Sequence, residues 1–290
     1  MRSVSTPDGR TLSVREGGDP QGVPMVVLHG TPGSGLLYEP HLRDAEQRGI
    51  RLISYDRPGF GGSTRDKGRD IADGAGDIST ICDALGVERV CVWGISGGAP
   101  HALAAAALLP DRVVACAALA AVAPYDAEGL DFTAGMGEQN VEEFANVVKN
   151  EAEHLAGLKR EREGLLAAKP DDLVEAWRTL LGPCDLEIAS GRLAGYLLAQ
   201  MQAGLEAGYE GWADDDIVFV WPWGFELASI HVPILHWHGR QDRFVPVAHA
   251  EWLAARIPGV DSRITAEDGH LTLFERRIPE VHAWLLERFH

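Results

Sequence analysis

Short apolar runs separated by turn residues dominate the first third of the chain. Residues 2–6 and 11–16 flank an Asp-Gly pair, which predicts a β-hairpin. The aliphatic and β-branched runs 25–28 and 51–55 predict two further strands, and the polar stretch 39–49 between them has room for a helix. This alternation of strands and helices is typical of βαβ units in a parallel sheet.

The same alternation continues along the chain and returns near its C-terminal end. Apolar residues at helical spacing predict a helix over 71–85 that ends at Gly86, followed by a strand at 89–93 and a helix at 98–109. The other predicted elements are strands at 113–121, 234–238 and 261–265 and helices at 247–256 and from about 279.

The central part of the chain has a different pattern, because charged helical stretches replace the alternation and β-branched runs almost vanish until 217–220. It predicts helices at 138–168, 171–181 and 185–206. We predict that residues 127–231 form a helical cap inserted into one α/β domain of residues 1–126 and 232–290, since α/β folds vary in the loops at the carboxyl ends of strands. A separate domain is the alternative, but the return to a strand after the segment favours an insertion.

Composition narrows the class of protein. The chain has 290 residues, 46% hydrophobic and 24% charged, which is enough for one large α/β domain with a substantial core. Its 26 basic and 43 acidic side chains give a net charge of −17, which argues against binding to nucleic acid or anionic membranes and leaves a small-molecule substrate as the expected partner. No apolar stretch approaches the roughly 18 to 20 residues of a membrane span, and the first residues lack the apolar core of a signal peptide. The expected location is the cytoplasm.

The four cysteines are Cys82, Cys91, Cys116 and Cys184, far apart in sequence and without a C-x-x-C pair. Three of them lie in apolar surroundings. We expect small buried side chains in a reducing compartment, and no structural metal.

The sequence Gly94-Ile95-Ser96-Gly97-Gly98 lies between the predicted strand 89–93 and the predicted helix 98–109. A serine on a sharp strand-to-helix turn needs small neighbours two residues to either side, because bulky ones would clash. The N–H groups and the positive dipole end of the following helix favour negative charge that develops near the serine. We therefore predict that Ser96 is a catalytic nucleophile.

A glycine-bearing turn, His29-Gly30-Thr31-Pro32-Gly33, follows the strand at 25–28. In enzymes with this serine turn, one oxyanion donor is the N–H group of the residue after the serine, and a second comes from such a loop. The predicted oxyanion hole therefore consists of the backbone N–H groups of Thr31 and Gly97, since Pro32 has no N–H. An ordinary tight turn is the alternative.

A serine nucleophile needs a base that is held in place by an acid. His270 is the candidate base, because it follows a short late strand and precedes an apolar run. Asp242 is the candidate acid, because it lies between the serine and the histidine in chain order, in the loop that leaves the strand at 234–238.

Other residues compete for these roles. His236, His238 and His249 are alternative bases, although each is more simply a core or surface histidine. Asp126, after the strand at 113–121, is an alternative acid. Asp268 belongs to an Asp-Gly pair and is interpreted as a turn residue.

Five segments of the chain resemble the α/β-hydrolase family and occur in the order found in that family. They are His29-Gly30-Thr31-Pro32-Gly33, Asp56-Arg57-Pro58-Gly59-Phe60-Gly61-Gly62-Ser63, Gly94-Ile95-Ser96-Gly97-Gly98, Gly239-Arg240-Gln241-Asp242 and Gly269-His270. The resemblance implies a mostly parallel eight-stranded sheet flanked by helices and a helical cap over the site. It also implies the triad Ser96, Asp242 and His270, with no metal and no organic cofactor.

The resemblance also narrows the reaction. Haloalkane dehalogenases and epoxide hydrolases carry Asp at the nucleophile position, so their chemistry is disfavoured by Ser96, whereas haloperoxidase-like esterases and carbon–carbon hydrolases use serine. The turn after the strand at 25–28 is similar to the H-G-x-P-G of proline iminopeptidases, which typically have Trp where this chain has Gly97. We expect hydrolysis of a small carboxylic ester or related acyl compound through an acyl-enzyme. The alternatives are a proline-iminopeptidase-like aminopeptidase or amidase, a hydrolase-fold ligand receptor and a non-catalytic scaffold.

Substrate selection is expected to reside in the predicted insertion. Its aromatic and methionine side chains can line a pocket, although most are expected to attach the segment to the core. They are Trp177, Tyr196, Tyr209, Trp212, Phe219, Trp221, Trp223, Phe225, Met136 and Met201.

Most of the negative charge lies in this same segment. Residues 127–231 hold 20 acidic and 7 basic side chains, a net charge of −13, which leaves −4 for the rest of the chain. Solvated helix faces at Glu142-Glu143, Glu161–Glu163 and Asp214–Asp216 are the expected cause. If some of these acids face the pocket, neutral or cationic substrates will be preferred over anionic ones.

Overall fold

The computed structural model describes residues 1–289 and contains eight strands in this range. They are β1 (Arg2–Ser5), β2 (Thr11–Gly18), β3 (Val23–Leu28), β4 (Ile50–Tyr55), β5 (Val90–Ile95), β6 (Val113–Leu119), β7 (Ile234–Gly239) and β8 (Asp261–Thr265). They form one sheet in the order β1-β2-β4-β3-β5-β6-β7-β8. β2 is antiparallel to both β1 and β4, and all the other neighbours are parallel. The predicted mostly parallel eight-stranded sheet is confirmed.

Twelve helices are present within the described residues. They are α1 (Glu39–Gln47), α2 (Asp73–Leu85), α3 (Gly98–Leu108), α4 (Glu138–Lys149), α5 (Glu151–Ala167), α6 (Pro170–Ala176), α7 (Pro183–Ile188), α8 (Gly191–Leu205), α9 (Glu210–Val220), α10 (Val247–Ala254), α11 (His270–Thr272) and α12 (Ile278–Phe289). A 3-10 turn, Leu227–Ser229, precedes β7, and a π-helical turn, Leu273–Arg277, joins α11 to α12. Among residues 1–289 no helix has the length and apolar character needed to cross a membrane.

The central strands are covered by helices on both faces, which is why they read as nearly continuous apolar runs. Every residue of β5 and of β7 is buried. Successive side chains of β5 point to opposite faces, so that Val92 belongs to the buried cluster that includes α2 and α3, whereas Trp93 belongs to the cluster that includes α1, α8 and α12. All four cysteines are buried free thiols, as expected of small core residues.

Residues 127–231, here called the helical segment, lie between β6 and β7 and contain α4 to α9. The predicted helix over 138–168 is broken at Asn150, whose side chain accepts a hydrogen bond from the Glu153 N–H (3.2 Å) and so caps α5. Helix α9 was not predicted from the pattern. The β-branched run at 217–220 forms its last turn, because packing outweighs the weak helix propensity of such residues.

Strand β6 is shorter than the predicted strand at 113–121. It ends at Leu119, because Ala120 has a φ of 45° and leaves the extended conformation. The Ala120 N–H instead donates to the carbonyl of Trp237 on β7 (3.0 Å).

The carboxyl ends of the parallel strands meet at one edge of the sheet. Pairing aligns Leu28 with Gly94 and Ile95 with Leu119. β3 lies between β4 and β5. The connection from β3 to β4 therefore runs toward one edge of the sheet, and the connection from β4 to β5 crosses to the other side of β3. Such a switch point opens a crevice at the carboxyl ends of the strands, which is where α/β proteins bind ligands.

Helix α3 gives a test of the packing. Its residues from Gly98 to Ala107 are all buried, so its alanines face neighbours in every direction. We expect Ala105→Leu to lower the free energy of unfolding by about 1–3 kcal/mol through overpacking. Leu108→Ala, at the exposed end of the same helix, is the control and should change it by less than about 0.5 kcal/mol. Urea denaturation measures both, and equal effects would contradict this packing.

Candidate active site

Ser96 occupies the turn between β5 and α3. Its φ of 54° lies in the left-handed region, which costs a residue other than glycine about 1–3 kcal/mol. The flanking glycines are needed for close approach, since a Cβ on Gly94 would lie 2.3 Å from the Gly98 carbonyl oxygen, and one on Gly98 would lie 2.3 Å from the Leu28 carbonyl oxygen. The predicted strand–serine–helix turn is therefore present.

The two residues predicted as oxyanion donors lie side by side. A Cβ built on Gly97 would lie 2.3 Å from Thr31 Oγ1 and 2.8 Å from the ring of Phe219. The loop after β3 thus contacts the residue that follows Ser96. The same contacts leave no room at position 97 for the tryptophan that is typical of proline iminopeptidases.

His270 and Asp242 are brought together from the ends of β8 and β7. Nδ1 of His270 lies 2.7 Å from Oδ2 of Asp242. The other carboxylate oxygen accepts hydrogen bonds from the backbone N–H groups of Phe244 (2.9 Å) and Val245 (2.8 Å), which orient the carboxylate. With Nδ1 engaged, Nε2 is the nitrogen through which His270 can accept a proton.

The pKa of His270 is raised above its ordinary value. Burial opposes the charged imidazolium, but the charge and hydrogen bond of Asp242 outweigh burial, and Asp185 adds to the effect. The ring also stacks on Phe244 with 4.6 Å between centroids, which fixes its orientation. His270 and Ser96 line the same cavity.

The competing histidines are buried, and none of them lines the cavity that contains Ser96 and His270, although His238 Nε2 lies 3.8 Å from Asp242 Oδ2. His238 Nε2 lies 2.8 Å from the Val245 carbonyl oxygen, His249 Nε2 lies 2.8 Å from the Phe132 carbonyl oxygen, and His236 is fully buried. Burial is the main cause that lowers the pKa of all three. Within residues 1–289 no group of three or more His, Cys, Asp or Glu side chains is arranged to hold a metal ion.

The two competing carboxylates have other surroundings. Asp126 is exposed on the loop after β6. Asp268 accepts hydrogen bonds from Thr265 Oγ1 (2.7 Å) and Arg277 Nε (2.8 Å), as befits a turn residue.

Two cavities meet at Ser96. The smaller, about 110 Å³, is bounded mainly by apolar side chains of the core, and the larger, about 490 Å³, lies against the helical segment. Of the aromatic and methionine residues singled out in the sequence, six line one or both cavities: Trp177, Tyr196, Trp212, Phe219, Met136 and Met201. The other four lie outside both cavities: Tyr209, Trp221, Trp223 and Phe225.

A sequence profile of the α/β-hydrolase fold matches residues 23–277. The chain belongs to the α/β-hydrolase family. It is 26% identical over 283 residues to the AB hydrolase superfamily protein YisY of Bacillus subtilis, with 94% of each chain covered. It is also 26% identical over 269 residues to a non-heme chloroperoxidase of Streptomyces lividans, with 89% of this chain and 88% of that protein covered. Among solved structures, a thermophilic esterase from Thermogutta terrifontis superposes with a TM-score of 0.71 at 21% identity, covering 99% and 98% of the two chains.

This α/β hydrolase has a buried ion network that the sequence did not indicate. The network lies beside residues 29–33, here called the predicted oxyanion loop. Asp215, on α9 of the helical segment, is completely buried and forms ion pairs with Arg57 and Arg69 (2.5 Å to the latter). Thr31 Oγ1 donates to Asp215 (2.5 Å), and Arg57 donates to both Thr31 Oγ1 (2.8 Å) and the carbonyl oxygen of His29. The helical segment therefore holds the loop that carries Thr31.

The acids at 214–216 correct the expectation of a solvated helix face. Asp214, Asp215 and Asp216 are all at least nine-tenths buried. Burial opposes ionisation of Asp215, but Arg57 and Arg69 outweigh it and hold the pKa of its carboxyl well below the usual range. One sequence signal was available: apolar residues flank the three acids on both sides, at Trp212-Ala213 and Ile217–Val220, which is not typical of a solvated helix face.

Asp185 on α7 is a second residue whose role the sequence did not indicate. It holds residues 269–272, here called the histidine loop. Its carboxylate accepts hydrogen bonds from the backbone N–H groups of His270 (2.8 Å), Leu271 (3.0 Å) and Thr272 (2.9 Å). Only glycine fits at 269, since a Cβ there would lie 2.4 Å from an Asp185 oxygen. No local pattern around residue 185 marks this contact, because the two segments are 85 residues apart in sequence.

The Asp215 network predicts a large stability effect. Asp215→Asn leaves Arg57 and Arg69 buried without a countercharge, so we expect the free energy of unfolding to fall by about 3–5 kcal/mol. Asp214→Asn is the matched control, because its partner Arg65 is 38% exposed at the side chain and solvent screens the pair. Its loss should be about 1 kcal/mol or less. Urea denaturation of both variants checks this difference, and equal losses would count against the network.

Proposed function

We propose that this α/β hydrolase is a serine esterase that cleaves small carboxylic esters through an acyl-enzyme. In this proposal Ser96 is the nucleophile, His270 the general base, Asp242 its acid partner, and the N–H groups of Thr31 and Gly97 the oxyanion hole. The observation that carries the proposal is the 2.7 Å contact between His270 and Asp242, on a histidine that lines one cavity with the strained Ser96. The proposed location is the cytoplasm, whose reducing conditions suit the buried free thiols.

The proposed reaction has two halves. Nε2 of His270 takes the hydroxyl proton while Ser96 Oγ attacks the ester carbonyl carbon, and the carbonyl oxygen becomes an oxyanion. Collapse breaks the bond to the alcohol oxygen, which leaves with the proton from His270. Water then attacks the acyl-enzyme with its proton passing to His270, and the carboxylic acid is released as Ser96 regains its hydrogen.

The two cavities support an ester substrate, because an ester has one group on each side of its carbonyl carbon. With that carbon at Ser96, one substituent can enter the 110 Å³ cavity and the other the 490 Å³ cavity. The helical segment contributes Trp177 and Met201 to both cavities, in line with the proposal that residues 127–231 act as a cap.

The alternatives to an esterase, which are an aminopeptidase or amidase and a ligand receptor, predict different results with a panel of substrates. A panel of esters and amino-acid arylamides separates esterase from aminopeptidase or amidase, and Gly97, where proline iminopeptidases typically have Trp, favours the esterase over the aminopeptidase. Turnover of several unrelated esters would count against a ligand receptor that signals without catalysis.

The nucleophile assignment predicts the effect of Ser96→Ala. Removing the hydroxyl should lower kcat on 4-nitrophenyl esters on the order of 10⁴-fold, since no covalent intermediate can form. A fluorophosphonate probe should label the parent but not this variant. Ser190→Ala, on an exposed serine that makes no capping hydrogen bond, is the control and should keep both turnover and labelling. Parent-like turnover by the Ser96→Ala protein would refute the assignment.

The raised pKa of His270 predicts the pH profile. The base must be neutral, so kcat/KM should fall as the pH drops through a pKa above the ordinary value of 6.5. Asp185→Asn removes a negative charge that favours the imidazolium, so the acid limb should move to lower pH.

The control for this shift is Glu187→Gln, which removes the same charge from an exposed position on the same helix. Its acid limb should coincide with that of the parent. An Asp185→Asn profile that loses amplitude without moving along the pH axis would show a structural role for Asp185 only.

A further inference from the structure

The larger cavity beside Ser96 carries an unbalanced set of charges. Glu143, Glu161, Asp172 and Asp216 line it, and no Lys, Arg or His within residues 1–289 does. Asp172 is engaged as a helix cap, because it accepts a hydrogen bond from the Lys169 N–H (2.8 Å). The other three carboxylates come from three different helices, α4, α5 and α9, and converge on the one cavity.

Asp216 is the most confined of the three. The residue is 4% exposed, and no group of the described chain donates a hydrogen bond to its Oδ2. His154 Nε2 lies 3.2 Å from that oxygen without the alignment of a hydrogen bond, and burial lowers the pKa of this histidine, which disfavours its charged form. Asp216 lines the cavity, and its unsatisfied carboxyl group is a place for a donor supplied from outside the chain.

The surrounding charges do not neutralise the cluster. Burial and neighbouring carboxyl groups raise the pKa of Asp216 and of Glu143 well above the usual range, so both groups favour the protonated form until a cation beside them stabilises the carboxylates. Burial likewise raises the pKa of Glu161. Glu143 receives one neutral donor, Trp212 Nε1, at 3.1 Å. The cluster therefore lacks a positive partner of its own.

The cluster lies close to the reacting centre. Asp216 and Phe219 are three residues apart on α9, so their side chains are neighbours on one face, within about one 5.4 Å turn. The Phe219 ring is the group that a Cβ on Gly97 would meet at 2.8 Å. A substrate bound at Ser96 with a chain of a few atoms can thus reach the carboxylates.

We propose that Glu143, Glu161 and Asp216 form a subsite that binds an alkylammonium group of the substrate. This inference rests on the proposed esterase function and narrows its substrate to cationic esters. A bound cation favours the ionised form of these carboxyl groups and is attracted to it, and the aromatic rings of Trp212 and Phe144, which line the same cavity, suit the methyl or methylene groups around the nitrogen. An ammonium ion fits this mixed lining better than a metal ion, which needs oxygen ligands on most sides.

Three 4-nitrophenyl esters of equal chain length test the subsite. They are the 4-(trimethylammonio)butanoate, its uncharged carbon isostere 5,5-dimethylhexanoate, and the anionic glutarate monoester, each corrected for hydrolysis in the presence of the Ser96→Ala protein. We expect kcat/KM to be at least about tenfold higher for the cationic ester than for the isostere, mainly through a lower KM, and lowest for the glutarate. The preference should weaken as salt concentration rises.

Conservative variants assign the preference to the cluster. Glu143→Gln keeps an acceptor for Trp212, and Asp216→Asn removes the buried charge, so each should reduce the cationic-to-neutral ratio about fivefold or more. Glu161→Gln, at a more exposed position, provides the same test if either buried variant fails to fold. Glu142→Gln is the matched control, because it removes the same charge from an exposed side chain outside the cavity, and its ratio should equal that of the parent.

The outcomes separate this inference from the proposed function. Hydrolysis of the uncharged isostere that depends on Ser96, together with a cationic-to-neutral ratio near or below one, would overturn the subsite and leave the esterase standing. A preference that survives in all three variants would also overturn it. Hydrolysis of none of the three esters by the folded parent would refute the esterase and the subsite together.

Discussion

The buried contact between Asp215 and Arg57 joins the helical segment to the part of the chain that forms the sheet. Asp215 belongs to a helix of the helical segment, whereas Arg57 follows β4 and holds the loop after β3 through the carbonyl oxygen of His29 and the hydroxyl of Thr31. An isolated buried charge is very unfavourable, so each partner requires the other in place. The position of the predicted oxyanion loop consequently depends on correct docking of the helical segment.

Asp185, a second buried acid of the helical segment, holds the histidine loop in a similar way. Its carboxylate receives three successive backbone N–H groups beginning at His270, and its charge also favours the protonated form of that ring. Two acids of the helical segment thus hold the two loops on either side of Ser96. The segment consequently contributes to the electrostatics around His270.

The strong negative charge of the helical segment has more than one physical origin. Part of it lies on exposed positions such as Glu142, where solvent screens it. Another part is balanced by buried arginines, as at Asp215. A further part, which includes Glu143 and Asp216, borders the larger cavity without a balancing cation. Net charge counted along a chain cannot separate these three cases, because they differ only in which face of each helix is packed and against what.

The amino-acid sequence by itself determined the alternation of strands and helices and the order of the motifs, and it pointed to Ser96, Asp242 and His270. These features depend on local physics: side-chain periodicity marks strands and helices, and glycines mark the turn that a serine nucleophile needs. It did not reveal helix α9 or the roles of Asp185 and Asp215. Those were decided by tertiary structure, because the burial of a carboxylate and the identity of its partner depend on contacts between segments far apart in the chain, which no local pattern encodes.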